Sequence, residues 1–351
     1  MLFVVGLLAM AASADATIRA DADAIVAFQL PDGAIVHARS GDEVAIVPYA
    51  GNQAAAGLYE AYRVTGDERY LSAANAWVDW CLERVDVQGR IPEYRGTASD
   101  YRPVEPPEWD VPTAASFLQC ANMRRILTDD RYFLLREQSK LWKVYEHIAG
   151  AVQPDGLLYA NADAPYKLTF HNAEAYEGLW QARQIARSLR DYSWNTEIHY
   201  ARRGIEQAFD RMREENGLYA WGKSRSSTVE WPEGANAFNT AGLANLAAVA
   251  CGPASEREAK QTLREIEAKY PELEACTPAQ LYWWAAAASR VDDARLADAA
   301  AAALQEQTIG HSPADLGYRI RATVLAEHGE RRRFGVPMGS SYISFQRSAF
   351  R

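Results

Sequence analysis

The sequence predicts an all-α fold of about twelve helices, arranged as six helical hairpins. Three observations support this prediction: chain-reversal turns recur at near-regular intervals, six helix entries share a common character, and a second family of turns separates the two helices of a hairpin. The chain has 351 residues, of which 48% are hydrophobic, enough apolar material for one large domain or two ordinary ones. This composition excludes a disordered polymer, a collagen and a coiled coil.

The chain-reversal turns contain glycines that lie 56, 67 and 61 residues apart. Glycine supplies the positive φ at which a helix ends and a loop begins. The last two turns continue almost identically, one into Leu157-Leu158-Tyr159 and the other into Leu218-Tyr219. The four turns are Pro31-Asp32-Gly33, Gln88-Gly89-Arg90, Pro154-Asp155-Gly156 and Glu215-Asn216-Gly217.

Six alanine-rich helices are predicted to follow the loops that start at these turns. Several of their entries place Pro beside Asp, Thr or Ser, which is typical of a helix N-terminus. Small residues on all sides suit helices that converge and approach one another closely, so we expect these to be inner helices. Their predicted ranges are 50–64, 111–127, 173–190, 236–251, 277–290 and 313–328.

A second set of turns is predicted to lead from each inner helix to an outer one. Related copies begin at Thr65 and Thr128, 63 residues apart, and an acidic residue in each is expected to cap the next helix. The outer helices are predicted at 18–29, 67–85, 130–149, 195–214, 254–270 and 292–307. Residues 34–36 and 45–47 are predicted to form a short β-ribbon at most, since alternating β-branched runs are missing elsewhere.

The segment Ala56-Gly57-Leu58-Tyr59-Glu60-Ala61-Tyr62-Arg63-Val64-Thr65-Gly66-Asp67-Glu68-Arg69-Tyr70-Leu71 resembles the inner-to-outer turn of the six-hairpin glycosidase superfamily. This resemblance implies an (α/α)6 toroid over residues 18 to 328. The superfamily includes endoglucanases, mannan-cleaving enzymes, unsaturated glycuronyl hydrolases, epimerases and polysaccharide lyases, so the fold does not settle the function. The Asp-Asp pair of the mannan-cleaving relatives is absent from the inner-helix entries.

The chain divides into a possible signal segment at 1–16, a toroid domain at 17–330 and a C-terminal tail at 331–351 that is expected to pack on the domain. Residues 2–12 are apolar and precede Ala14-Asp15-Ala16, a pattern similar to a secretory signal without its usual basic start. We therefore expect a periplasmic or secreted protein. The alternative is that this segment belongs to the first helix of a cytoplasmic protein.

Composition also limits the partners. The net charge of −9 and the lack of a long Lys/Arg cluster argue against a nucleic-acid partner. No apolar stretch reaches the 18 residues of a membrane span. The four cysteines lack CxxC spacing, so we predict no metal site and no cofactor. The oligomeric state stays open.

Loops that enter the inner helices open at one end of a toroid, and here they are rich in aromatic residues and carboxylates. Sugar rings stack on aromatic side chains, and two carboxylic acids supply the proton and activate water or the anomeric carbon. The sequence therefore predicts a glycoside hydrolase with a carbohydrate substrate. Its candidate catalytic residues are Asp110, paired with Glu43, Glu174 or Glu233. A raised pKa would mark the acid. The candidate substrate-binding residues are Tyr49, Trp109, His171, Asn172, Tyr176 and Trp231.

Each candidate also has a structural interpretation. Asp110 precedes Val111-Pro112 and is suited to cap a helix, Glu233 is suited to complement a helix dipole, and His171 to be a buried structural histidine. Two other functions stay open. A polysaccharide lyase would use His171, Asn172 and Tyr176, and a non-catalytic carbohydrate-binding toroid would have its carboxylates tied up in caps or salt bridges.

Overall fold

The computed structural model describes residues 2–104, 109–159, 161, 166–225, 229–230, 238–270, 272–307 and 312–327, with side chains from residue 14 onward except at 229 and 230. Twelve α-helices lie within these ranges. The outer helices are α1 (Leu2–Ala27), α3 (Glu68–Glu83), α5 (Arg131–Ala151), α7 (Tyr192–Met212), α9 (Glu256–Lys269) and α11 (Ala294–Glu306). The inner helices are α2 (Pro48–Thr65), α4 (Asp110–Thr128), α6 (Thr169–Leu189), α8 (Leu243–Cys251), α10 (Pro278–Arg290) and α12 (Pro313–Glu327).

The inner helices form a closed ring. Each packs on the next, from α2 through α4, α6, α8 and α10 to α12, and α12 packs back on α2. The outer helices contact the inner ones, so that the apolar core lies between two concentric layers. The predicted all-α (α/α)6 toroid is confirmed.

Acidic caps set the start of the outer helices. The carboxylates of Asp67 and Asp130 accept hydrogen bonds from backbone N–H groups in the first turns of α3 and α5, as the sequence predicts. Asp191 caps α7 in the same way, so this helix begins three residues before its predicted start at 195. Gly66 ends α2 in the left-handed conformation with φ of 67°.

Two small antiparallel sheets lie in the loops. The prediction of one short ribbon at most is wrong, because the structure has seven strands in the described residues. Four strands pair in the order β1 (Ala38–Ser40), β2 (Glu43–Ile46), β3 (Glu93–Thr97) and β4 (Asp100–Val104). Three more pair in the order β5 (Tyr166–Leu168), β6 (Gly222–Ser224) and β7 (Val229–Glu230). These strands have two to five residues, too few for alternation to appear in the sequence. The β2–β3 and β5–β6 pairings join different hairpins.

An ion pair joins the two ends of the described chain. The Arg319 guanidinium on α12 donates to both carboxylate oxygens of the buried Asp21 on α1, with Nε 2.7 Å from Oδ2. The first outer helix is thereby fixed to the last inner helix. None of the described helices is both long and apolar enough for a membrane crossing.

Candidate active site

A small polar cavity lies on the axis of the toroid. Its volume is about 30 Å³, the space of a single water molecule. All six inner helices contribute to its wall, which brings together residues from the whole length of the chain. The lining residues include Gln53, Ser116, Gln119, Glu174, Glu177, Cys251, Tyr282, Trp283 and Arg321.

Glu174 is a buried carboxyl group in the second turn of α6. The hydroxyl of Tyr49, from the start of α2, donates a hydrogen bond of 2.6 Å to its Oε1. Its Oε2 is buried without a hydrogen-bond partner. Burial raises the pKa of Glu174 from 4.5 to about 8, although the Tyr49 hydrogen bond and the nearby Arg321 charge act in the opposite direction. Glu174 is therefore protonated at neutral pH.

Glu177 lies one helical turn deeper on the same face of α6. Its carboxylate accepts a hydrogen bond from the Gln181 amide, and its Oε2 is buried without a partner. Burial raises the pKa of Glu177 from 4.5 to about 7. Asn122 on α4 donates to Gln181 over 2.6 Å and so holds that amide in place. Two carboxyl groups with different proton affinities therefore share one cavity.

Arg321 places a buried positive charge on the opposite wall. Its guanidinium donates to Gln53 Oε1 over 2.6 Å and to the Tyr282 hydroxyl. These partners fix the guanidinium without neutralising it. Its charge lies close enough to lower the pKa of both carboxyl groups against the effect of burial.

A row of aromatic rings leads away from Trp283, which lines this cavity. The Trp109 ring lies edge-on to the His171 ring with centroids 4.9 Å apart, and Phe170 contacts Trp283 in the same way at 5.3 Å. Trp109 is 36% exposed, so a ligand has access to its ring. Burial lowers the pKa of His171 to about 4, which leaves the imidazole neutral, and its Nδ1 is buried without a partner.

Solved structures share this architecture. An unsaturated glucuronyl hydrolase specific for heparin superposes with a TM-score of 0.64 at 10% identity, covering 93% of this chain and 98% of that chain. The chain has the six-hairpin glycosidase fold. An α-amylase from Clostridium perfringens matches with a TM-score of 0.61 at 12% identity, covering 86% and 96% of the two chains. An inactive α-1,6-mannanase of Salegentibacter sp. HEL1_6 bound to α-1,6-mannotriose gives 0.56 at 13% identity, with 90% and 98% covered.

The likeness to these solved structures is one of fold and not of sequence. No protein-family model and no curated protein sequence matches the chain. The residues that perform its chemistry must therefore be argued from its own geometry.

Asp110 lies outside the central cavity. It is the first residue of α4, where Trp109 rather than Asp110 holds the N-cap position, and its Oδ1 accepts from the Val111 N–H at 2.8 Å. Its Oδ2 faces the outer helix α5, 3.4 Å from His147 Nε2. Asp110 and Glu174 therefore line different cavities.

The other predicted residues are dispersed. Glu43 is exposed on β2, in register with Thr97 of β3. The Tyr176 ring packs under the Arg202 guanidinium of α7 at 4.1 Å, so it faces the outer layer. Glu233 and Trp231 lie outside the described residues.

Asn172 is fully buried and its side chain is used within the fold. It accepts from the Leu158 N–H and donates to the carbonyls of Leu158 and Leu168. Asn245 makes the same set of bonds to Tyr219 and Ala241, which identifies a repeated device that holds the two related turns. We therefore leave Asn172 out of the binding surface proposed below.

Glu177 is the residue that sequence reasoning missed. Its signal is its spacing, three residues after Glu174, which places both side chains on one face of the helix. Among the described residues, no group of three or more His, Cys, Asp or Glu is arranged to hold a metal ion.

Proposed function

We propose that the protein is a glycoside hydrolase in which Glu174 is the general acid and Glu177 the general base. One observation carries the proposal. Two carboxyl groups that line the same small cavity each have a buried oxygen without a hydrogen-bond partner. Unpartnered buried polar atoms are costly, and they persist where a function needs them.

The hydrogen-bond pattern assigns the proton. Because Glu174 Oε1 accepts from Tyr49, the carboxyl proton resides on Oε2, which is free to transfer it. In the reaction, Glu174 protonates the glycosidic oxygen as the bond from that oxygen to the anomeric carbon breaks. Ionised Glu177 takes a proton from the water that adds to the anomeric carbon. Arg321 stabilises the negative charge that then remains between the two groups.

The substrate proposed is an oligosaccharide that stacks on the row of aromatic rings. The exposed ring of Trp109 offers a face for a pyranose, and Trp283 lines the cavity at the other end of the row. Structures with the same fold are named for action on heparin-derived, starch-type and α-1,6-mannan substrates. These three polymers supply the first compounds to assay.

A lyase has less support. Its predicted residues Asn172 and Tyr176 are engaged elsewhere in the fold. Burial and the Glu174 charge raise the pKa of Tyr49 well above its usual value, which disfavours a tyrosinate base.

The test measures hydrolysis of malto-oligosaccharides, α-1,6-manno-oligosaccharides and unsaturated heparin oligosaccharides by four proteins. Glu174→Gln keeps an oxygen for the Tyr49 hydrogen bond but holds no transferable proton, so kcat should fall by about 10²- to 10⁴-fold. The exposed Glu215→Gln variant should match the wild type. Asp110→Asn tests whether the reaction depends on a second, outer cavity that Asp110 lines and Glu174 does not. If Asp110→Asn abolishes hydrolysis while Glu174→Gln does not, the reaction takes place in the outer cavity and the proposal is wrong.

We also propose that the protein is exported, with cleavage near Ala16 in α1. The apolar residues 2–12 are the support for this. N-terminal sequencing of the protein from a periplasmic or culture fraction tests it. An intact N-terminus in the cytoplasmic fraction would argue for the alternative.

A further inference from the structure

A second, larger cavity is lined, like the central one, by residues of helix α4. It has a volume of about 510 Å³ and lies between the start of α4 and the last turns of α5. This volume is in the usual range for small-molecule sites. Its polar side chains include Asp110, Lys143, Glu146, His147 and Tyr159. We refer to it as the outer cleft.

Asp110 and His147 have unused hydrogen-bonding capacity in the outer cleft. Their side chains are only 11% and 15% exposed. The 3.4 Å between Asp110 Oδ2 and His147 Nε2 is longer than an ordinary N–H···O bond, and His147 Nε2 is buried without a hydrogen-bond partner. A hydroxyl group inserted here donates to Asp110 Oδ2 and pairs with His147 Nε2. The pair therefore matches the donor-acceptor character of a sugar hydroxyl.

A series of ring contacts, from Trp109 through His171 and Phe170 to Trp283, connects the outer cleft with the central cavity. Trp109 precedes Asp110 directly, and its exposed ring contacts His171 at the start of α6. On the other side, the Tyr159 ring lies 5.0 Å from Lys167 Nζ in β5, the strand that leads into α6. A chain of sugars that extends from the outer cleft toward Glu174 would cross the Trp109 ring.

Charge limits the class of ligand. The lining of the cleft includes the carboxylates of Asp110 and Glu146 and the ammonium of Lys143, while the cations of Lys167 and Arg225 lie over the Tyr159 ring. At the end of the cleft formed by Asp110, Glu146 and His147, the two carboxylates repel sulfate and uronate groups. This end is compatible with uncharged sugars.

We propose that the outer cleft is a second sugar subsite, which binds the distal part of a linear, uncharged oligosaccharide whose other end reaches Glu174. This inference rests on the proposed function. It adds the expectation that the protein prefers longer oligosaccharides and uncharged sugars. Neither preference follows from the central cavity alone.

Calorimetric titration of chain-length pairs tests the subsite. The probes are maltose with maltotetraose and α-1,6-mannobiose with α-1,6-mannotetraose, all measured in the Glu174→Gln background to prevent turnover. Added His147→Gln or Tyr159→Ala should weaken tetrasaccharide binding about tenfold, the scale of one lost hydrogen bond or ring contact. Disaccharide binding should change by less than about twofold. His199→Gln and Tyr200→Ala, at exposed positions of α7, are the matched controls and should change neither.

The subsite proposal would be wrong if the variants lost the same affinity for short and long probes, or lost no affinity for the long ones. So would tighter binding of an unsaturated heparin tetrasaccharide than of the uncharged probes. If Glu174→Gln abolishes hydrolysis while the length preference is insensitive to His147 and Tyr159, the subsite fails and the proposed function stands. If no probe binds and none is hydrolysed by the wild type, both fail. Circular dichroism and the Tm of each variant show whether it is folded.

Discussion

The buried carboxyl group of Glu174 makes the stability of the fold depend on pH. Its folded-state pKa of about 8 exceeds the ordinary value of 4.5, so the folded protein holds a proton that the unfolded chain releases between these pH values. Stability therefore falls as pH rises through this window, by about 1.4 kcal/mol per pH unit at most, and levels off above it.

Glu174→Gln removes this titration, so it should become progressively more stable than the wild type between pH 5 and pH 8. Urea unfolding at the two pH values measures the difference. The lowered pKa of His171 acts in the opposite direction and makes stability rise with pH over about 4 to 6.5. This contribution is the same in both proteins, so it cancels when their free energies of unfolding are subtracted at each pH. The exposed Glu215→Gln control should show no such trend. A constant difference between wild type and Glu174→Gln would mean that Glu174 is ionised in the folded protein.

The sequence indicated part of the site at this scale. Tyr49, Trp109, His171 and Glu174 could be proposed from the sequence because each lies at a helix entry. Glu177 could not, because a glutamate inside a helix usually faces solvent. Asp110, proposed as a partner of Glu174, lines a different cavity; adjacent residues of a helix differ by about 100° in direction, and sequence position alone does not fix the rotation.

Close packing of the inner helices explains their small residues. A Cβ atom at Gly57 of α2 would lie 2.6 Å from the Gly317 Cα of α12, and one at Gly317 would lie 2.4 Å from the Gln53 carbonyl oxygen. Both neighbours are backbone atoms, so the helices would have to separate to make room.

Gly57→Ala should therefore destabilise the protein by about 1–3 kcal/mol, measured by urea unfolding. Gly204→Ala is the control on outer helix α7, where an added Cβ has nothing within 4 Å. It should stabilise by about 0.5–1 kcal/mol, because alanine loses less entropy in a helix. Equal effects at the two positions would contradict the close contact between α2 and α12.

Helices were predictable at this scale because each is long, repeated and marked by a cap such as Asp67 or Asp130. The start of the fourth inner helix, α8, was predicted less accurately. The predicted helix begins at 236, whereas α8 begins at Leu243 after a π-helical turn over Phe238–Gly242. The sheets were not predictable because their strands are short and because the β2–β3 and β5–β6 pairings join loops that are distant in sequence.

The toroid as a whole depends on joining its first and last helices. The buried Asp21–Arg319 pair lies at this junction, and burial raises the pKa of Asp21 despite the Arg319 charge. Removing one partner leaves the other charge buried alone.

Asp21→Asn should therefore cost about 3 kcal/mol or more in urea unfolding. The double variant Asp21→Asn with Arg319→Met removes both charges and should recover much of that loss. Arg295→Gln, which breaks an exposed pair with Glu267, should cost no more than about 1 kcal/mol. An additive double variant would show that the two residues do not act as a pair.

The most direct test of the central carboxyl pair is the pH dependence of kcat/KM, measured on a hydrolysed oligosaccharide. Activity requires Glu177 ionised and Glu174 protonated. The profile should rise as Glu177 loses its proton at about 7 and fall as Glu174 loses its own at about 8. Glu177→Gln should abolish the rise along with most of the activity. A profile that is flat across this range, or one that is the same in wild type and Glu177→Gln, would contradict the assignment of acid and base to these two residues.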